Sequence, residues 1–156
     1  MKLDANQEIS HTMAHYLLAI HKLKETRGFA RVTDIAKYLK ITKGSVSTAL
    51  KGLRERGLAQ EEEDCKFLKL TAKGREEVLR ILSTRILIFH FLRDIIGVSE
   101  KNAARESCLT EHILGKETCE KILQYIKKIS NSEKKKDLSA WPNANINLSN
   151  LEISIQ

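Results

Sequence analysis

The sequence predicts a mainly α-helical protein in which a winged helix-turn-helix module precedes a second, helical unit. Three observations predict it. Apolar residues recur at helical spacing through most of the first 130 residues, with Pro142 the single proline and few aromatics to interrupt them. Two short helices with capping residues are followed directly by two short β-friendly runs around a polar turn. The segment "LRILSTRILIFHFLRDIIG" is apolar on nearly every side of a helix, which demands burial on more than one face.

Taken in order, an Asp4-x-x-Gln7 pair is read as the cap of a first helix, whose stripe runs Ile9, Met13, Leu17, Ile20 and Leu23 and stops near Gly28. Thr33 is read as the cap of a short helix with Ile35, Ala36 and Leu39. Thr42 caps the next, with Val46, Ala49, Leu50 and Leu53, closed by Gly57. "LAQEEED" and "KFLKLT" are the two strands of a wing. A long helix starts near Thr71, one face covered by its own domain and the other by a partner subunit, so a homodimer is expected. After Gly97, Ser99 caps a helix carrying "SCLTEHIL", Gly115 interrupts it, and Ile122, Leu123, Ile126 and Ile129 mark a last amphipathic helix. Beyond "NSEKKKD" the Asn- and Ser-rich tail reads as a loop ending in a short strand, or as disordered chain. The domains expected are 1–74 for the winged module, 75–130 for the helical unit and 131–156 for the tail.

The charge balance points to a polyanion. Among 156 residues, 27 Lys and Arg against 20 Asp and Glu give a net charge of +7. Three irregularly spaced cysteines, Cys65, Cys108 and Cys119, form no disulfide framework and suit a reducing compartment, so a cytoplasmic protein is expected. The N-terminus lacks the apolar core of a secretory signal and no window is long enough to span a bilayer, so no membrane partner is expected.

A recognition helix presents short donors and acceptors where it enters the major groove, with cations around it for phosphates. In "ITKGSVSTALKGLRERG", Thr42, Lys43, Ser45, Ser47, Thr48 and Lys51 lie off the apolar stripe and are the candidate DNA-facing residues. Arg31, Lys66 and Lys69 are candidate backbone contacts. In isolation such residues are more often a solvated helix face; the order helix, turn, helix, wing favours DNA. "EEED" at residues 61 to 64 argues the other way, and a wing tip carrying it is expected to stand off the duplex.

Cys108, Glu111 and His112 lie three and four residues apart, so on one helix they share a face and can converge on one point. Taken alone they read as a buried thiol beside an exposed acid and base, or as one side of a metal site. There is no His-Glu-x-x-His, Ser-His-Asp arrangement or phosphate loop, and an enzyme is not expected.

With these segments in view, the sequence resembles the iron- and manganese-dependent repressors of the diphtheria toxin repressor family over about residues 8 to 130. The resemblance lies in "HYLLAIHKL", "ARVTDIAKYLKITKGSVSTALKGLRERGL", "LKLTAKG", and "FLRDIIGV" followed by "CLTEH". It implies a winged helix-turn-helix followed by a helical dimerisation and metal-binding domain, without the C-terminal barrel of longer members. It implies a metal held by His15, Cys108, Glu111 and His112, and a dimer that binds an operator in double-stranded DNA as a repressor when the metal is bound. Leu18 stands where manganese-selective members have a second carboxylate, Arg85 and Phe89 where members carry His and Glu, and Ala104 where an ancillary His falls. One metal site is therefore expected and a second is not.

A sulfur, oxygen and two-nitrogen set suits ferrous iron, with zinc, cobalt or nickel as alternatives, and the thiolate disfavours manganese. His11 reads as a surface histidine, or as a substitute ligand. Arg85 either pairs with Glu111 and imitates a bound metal or snorkels to solvent, and snorkelling is the expectation. Phe89 is expected in the core. The alternative function is a winged-helix regulator that has abandoned metal sensing and switches through Arg85 or the Cys108 thiol.

Overall fold

Ser10 opens the first helix: its hydroxyl accepts the Met13 amide at 3.2 Å, and Gly28, at φ +79°, closes it. The computed structural model describes residues 9–62 and 65–132, so the Asp4 and Gln7 cap, the end of the "EEED" run and the tail lie outside the described residues. The helix so framed, α1 (His11–Arg27), buries Ala14, Tyr16, Leu17, Leu18, Ala19, Ile20 and Leu23. This is a wider face than the stripe predicted, because α1 is the piece against which the rest of its unit packs.

Helix α2 (Val32–Leu39) begins one residue before Thr33, so Thr33 lies inside its first turn and cannot cap it. Arg31 holds the cap position instead, and its carbonyl accepts the Asp34 and Ile35 amides at 3.0 Å each. Helix α3 (Lys43–Glu55) starts where Thr42 was expected to start it, and the chain turns out of it through Gly57 at φ +66°. Strands β1 (Ala59–Glu61) and β2 (Leu68–Leu70) pair antiparallel, Ala59 opposite Leu70 and Glu61 opposite Leu68. Leu68 and Leu70 face inward, with the half-buried Lys69 between them, and the Leu68 amide donates to the Ala30 carbonyl at 2.8 Å. That bond ties the hairpin to the segment entering α2, and α1 packs against α2, α3 and β2.

Helix α4 (Ala72–His90) is capped by Thr71, whose hydroxyl accepts the Gly74 amide at 3.0 Å and donates to the Gly57 carbonyl at 2.6 Å. The chain divides into two compact units, 1–81 and 82–156, and the division falls within α4.

In the second unit the helical path does not continue unchanged to Gly97. Residues Phe91–Ile96 form a π-helical turn, closed by Gly97 at φ +81° with its N–H on the Leu92 carbonyl. Asp94 accepts from Arg93 and lies 2.8 Å from the His90 ring, while the Arg93 guanidinium sits 4.7 Å from the Phe89 ring centre. Phe89 is therefore half-buried under a cation and not a core residue. Helix α5 (Glu100–Thr110) follows Ser99, which holds the cap position without a side-chain bond, and α6 (Lys116–Ser132) buries Ile126. The π-helical turn packs against both.

Gly74 shows what the start of α4 requires. A Cβ there would land within contact distance of the Leu58 carbonyl oxygen, a backbone atom that cannot swing aside. Glycine to alanine inside a helix ordinarily stabilises by up to about 1 kcal/mol. Here we expect Gly74→Ala to reverse that sign and destabilise by about 1–3 kcal/mol, as overpacking does, read as a lower melting temperature.

Candidate metal centre and nucleic-acid interface

The sequence of α3 builds a surface with two sides. Val46, Leu50 and Leu53 are buried at helical spacing and hold the helix down; Thr42, Lys43, Ser45, Ser47, Thr48 and Lys51 are all exposed. Three of the hydroxyls also serve the helix itself. Thr42 Oγ1 accepts the Ser45 amide at 3.1 Å and lies 2.8 Å from Ser45 Oγ, and Thr48 Oγ1 donates to the Gly44 carbonyl at 3.1 Å. Lys43, Ser47 and Lys51 project outward, Lys51 with Glu55 at 3.9 Å, a pair too exposed to hold it.

Arg31 is positioned by aromatics that sequence reasoning overlooked. Phe29 and Phe67 stack with centroids 5.1 Å apart, and the Arg31 guanidinium lies 5.2 Å from one ring centre and 4.8 Å from the other. The signal was present in the sequence as two aromatics flanking the wing and α2, but only the folded hairpin brings them together. Lys66 is exposed in the hairpin at φ +52°, and Lys69 is half-buried on β2. The acids described on the wing are drawn back onto the unit's own cations: Glu61 pairs with Arg54 and Glu62 with Lys24 at 3.1 Å. The Lys24 hydrogen bond, with Cys65 adding to it, holds the Glu62 carboxyl below its usual range. Paired carboxylates repel phosphates less than free ones do.

On α1, His15 is half-buried, and its Nε2 lies 2.9 Å from His11 Nε2, with the ring centres 4.3 Å apart and the rings edge to face. One imidazole donates and the other accepts. The i, i+4 spacing makes the contact, so His11, read as a surface histidine or a substitute ligand, is half-buried against His15.

In the second unit the "SCLTEHIL" motif straddles a helix end. Helix α5 runs to Thr110 and Glu111, its C-cap, is still helical with its amide on the Ser107 carbonyl, so Cys108 and Glu111 keep the shared side expected of them, while His112 follows in the turn. What meets Cys108 and Glu111 is Arg85. It is 7% exposed, and it donates from Nε to Glu111 Oε2 and from Nη2 to Glu111 Oε1 at 2.6 Å, while Glu111 is 0% exposed. Nη2 also lies 3.6 Å from Cys108 Sγ. The snorkelling expectation for Arg85 is overturned: an unmatched buried carboxylate costs more than drawing a guanidinium in. Burial pushes the Cys108 thiol above its ordinary pKa, with Glu111 adding to the rise and Arg85 opposing it.

As donors, a thiol, a carboxylate and an imidazole suit a late first-row divalent metal. As arranged, they do not fit one. Both Glu111 oxygens are taken by Arg85 and the thiol faces the same guanidinium, so a cation already fills the place between Cys108 and Glu111. His112 is half-buried in the turn that follows.

Comparison with known proteins places both halves of the chain. Residues 8–64 match the N-terminal DNA-binding domain of the iron-dependent repressors, and residues 71–137 match their metal-binding and dimerisation domain. A helix-turn-helix transcriptional regulator of Methanocaldococcus jannaschii is 32% identical over 121 residues, covering 77% of this chain and 96% of that protein. The transcriptional regulator MntR of Geobacillus kaustophilus is 33% identical over 125 residues, covering 80% and 86%. A crystal structure of a Sulfolobus solfataricus protein superposes with a TM-score of 0.67 at 26% identity, covering 77% of this chain and 91% of that one.

Two outcomes follow from the buried pair. Arg85→Leu alone leaves Glu111 buried without a cation and is expected to cost about 3–5 kcal/mol in denaturant unfolding, whereas Arg85→Leu combined with Glu111→Leu is expected to cost far less. Iodoacetamide near neutral pH should label exposed Cys65 well before Cys108, followed by peptide mass spectrometry; equal rates would contradict the protected thiol.

Proposed function

This chain belongs to the iron-dependent repressor family, and we propose that it binds an operator in double-stranded DNA as a homodimer, acting as a repressor when a divalent transition metal is available. The observation that carries the reading is α3, capped at Thr42, buried through Val46, Leu50 and Leu53, and exposed through Lys43, Ser47 and Lys51. A helix held on one side and polar on the other is what the major groove admits. Arg31, set on its two rings, and Lys66, exposed in the hairpin, are the phosphate contacts proposed with it.

The dimer reading draws on the second unit, where Ile96, Leu109, Ile113 and Tyr125 are 58%, 49%, 61% and 53% exposed. A second copy is the occupant proposed for these residues, and if the metal-bound arrangement of the dimer sets the two α3 helices about one DNA turn apart, roughly 34 Å, operator affinity rises. Among the described residues no helix is long and apolar enough to cross a membrane, and the work proposed is cytoplasmic.

For the metal we take ferrous iron first, with zinc, cobalt and nickel behind it and manganese disfavoured by the Cys108 thiolate. The ligand positions to test are His15, Cys108, Glu111 and His112, of which Glu111 stands in the hold of Arg85. The same pair supports a second reading, a winged-helix regulator that no longer senses metal.

Gel shifts on the DNA upstream of the protein's own gene, with and without each divalent ion, test the proposal. Metal-stimulated binding that is lost in Cys108→Ala and His112→Ala supports it; binding indifferent to every ion favours the second reading. Lys43→Ala is expected to weaken binding across sequences and to lower the slope of log affinity against log salt by about one, the signature of a lost phosphate contact. An unchanged slope would remove Lys43 from the interface.

A further inference from the structure

We propose that Arg85 is a tethered cation that holds Cys108 and Glu111 in the place a divalent metal would take, so that a metal reaches Glu111 only by displacing the guanidinium. The proposal deepens the metal-responsive reading above and rests on it for its regulatory meaning, though not for its geometry.

Three features of the second unit carry it. The first is the fork: Arg85 donates to both oxygens of a carboxylate that has no exposed surface, so the position from which a metal would bridge the two oxygens is occupied. The second is that the same guanidinium also faces the Cys108 sulfur at 3.6 Å. One cation therefore spans the hard donor and the soft donor that a late first-row ion would use together.

The third is charge. A divalent ion placed beside Arg85 would put two cations in one buried place, where repulsion is poorly screened; with the guanidinium gone, the carboxylate and a deprotonated thiol balance the ion. Stability alone does not require the pair as a whole, because apolar residues of similar volume commonly serve as well as a buried ion pair. Arg85 thus sets the concentration at which metal enters. It is a positioning residue for the empty state and a competitor of the loaded one.

The test uses the full chain and cobalt(II) alone as the probe, read by titration and by the absorption of a thiolate bound to cobalt. Arg85→Met removes the charge and keeps the length. We expect Arg85→Met to bind cobalt at least about tenfold more tightly than the parent, with a thiolate-to-cobalt band that disappears when Cys108→Ser is added. We also expect cobalt to raise the melting temperature of Arg85→Met more than that of the parent, since an ion that binds only the folded chain stabilises it.

Equal cobalt affinity in Arg85→Met and the parent overturns the proposal, whether both bind or neither does. So does a variant that cobalt fails to return to a folded state when it is unfolded without metal. Arg85→Lys, which keeps the charge and loses the fork, gives an independent reading: affinity between the parent and Arg85→Met supports competition for Glu111, and affinity equal to the parent's contradicts it. Operator binding of the parent that ignores metal, alongside a gain in Arg85→Met, would reject the metal-responsive reading and leave the role of Arg85 standing.

Discussion

A carboxylate with no exposed surface must be matched by a cation, and in the second unit that requirement falls on Glu111. Arg85 meets it, and much of the unit's chemistry follows from how. The guanidinium fork takes both oxygens, its remaining edge faces Cys108, and the helix end at Thr110 turns the chain so that Glu111 points inward while His112 follows in the turn. A motif that reads as three donors for one metal is, in the folded unit, two donors already gathered around a resident cation.

The first unit answers a different constraint. Helix α3 must be held firmly by one face to present the other, and it is held by a short apolar stripe, a threonine cap and the packing of α1 and α2 against it. The hydroxyls that stabilise the start of α3 also lie on its exposed face, so the residues that cap the helix are part of the surface it presents. Around it, Arg31 rests over two rings, and the wing's described acids are turned onto Arg54 and Lys24, while Lys43, Lys51 and Lys66 stay exposed.

Membership of the iron-dependent repressor family joins these two descriptions into one protein, a DNA-binding transcriptional regulator with a metal-binding and dimerisation domain. Within that family description the chain carries its own signature. Where a metal ligand is implied on the long helix it has an arginine, and that arginine is buried and pairs with both oxygens of Glu111. On α1, the histidine implied as a ligand has a second imidazole in contact with it one turn earlier.

The sequence by itself determined the order of elements, because caps, glycine stops and apolar spacing are local: Thr42, Gly28 and Gly57 stand where their neighbours alone demand, and the two strands fall within the runs read for them, shortened to three residues each. It also determined which side of α3 is buried, since that follows from spacing of 3.6 residues per turn. Only the tertiary structure decided the fate of the polar groups. Whether Arg85 reaches water or Glu111, whether Arg31 finds Phe29 and Phe67, where α5 stops and where a π-helical turn replaces α-helix depend on groups distant along the chain coming within a few ångströms. Long-range electrostatic and packing terms of that kind leave no periodic trace in a sequence, and they outweigh the local preferences that do.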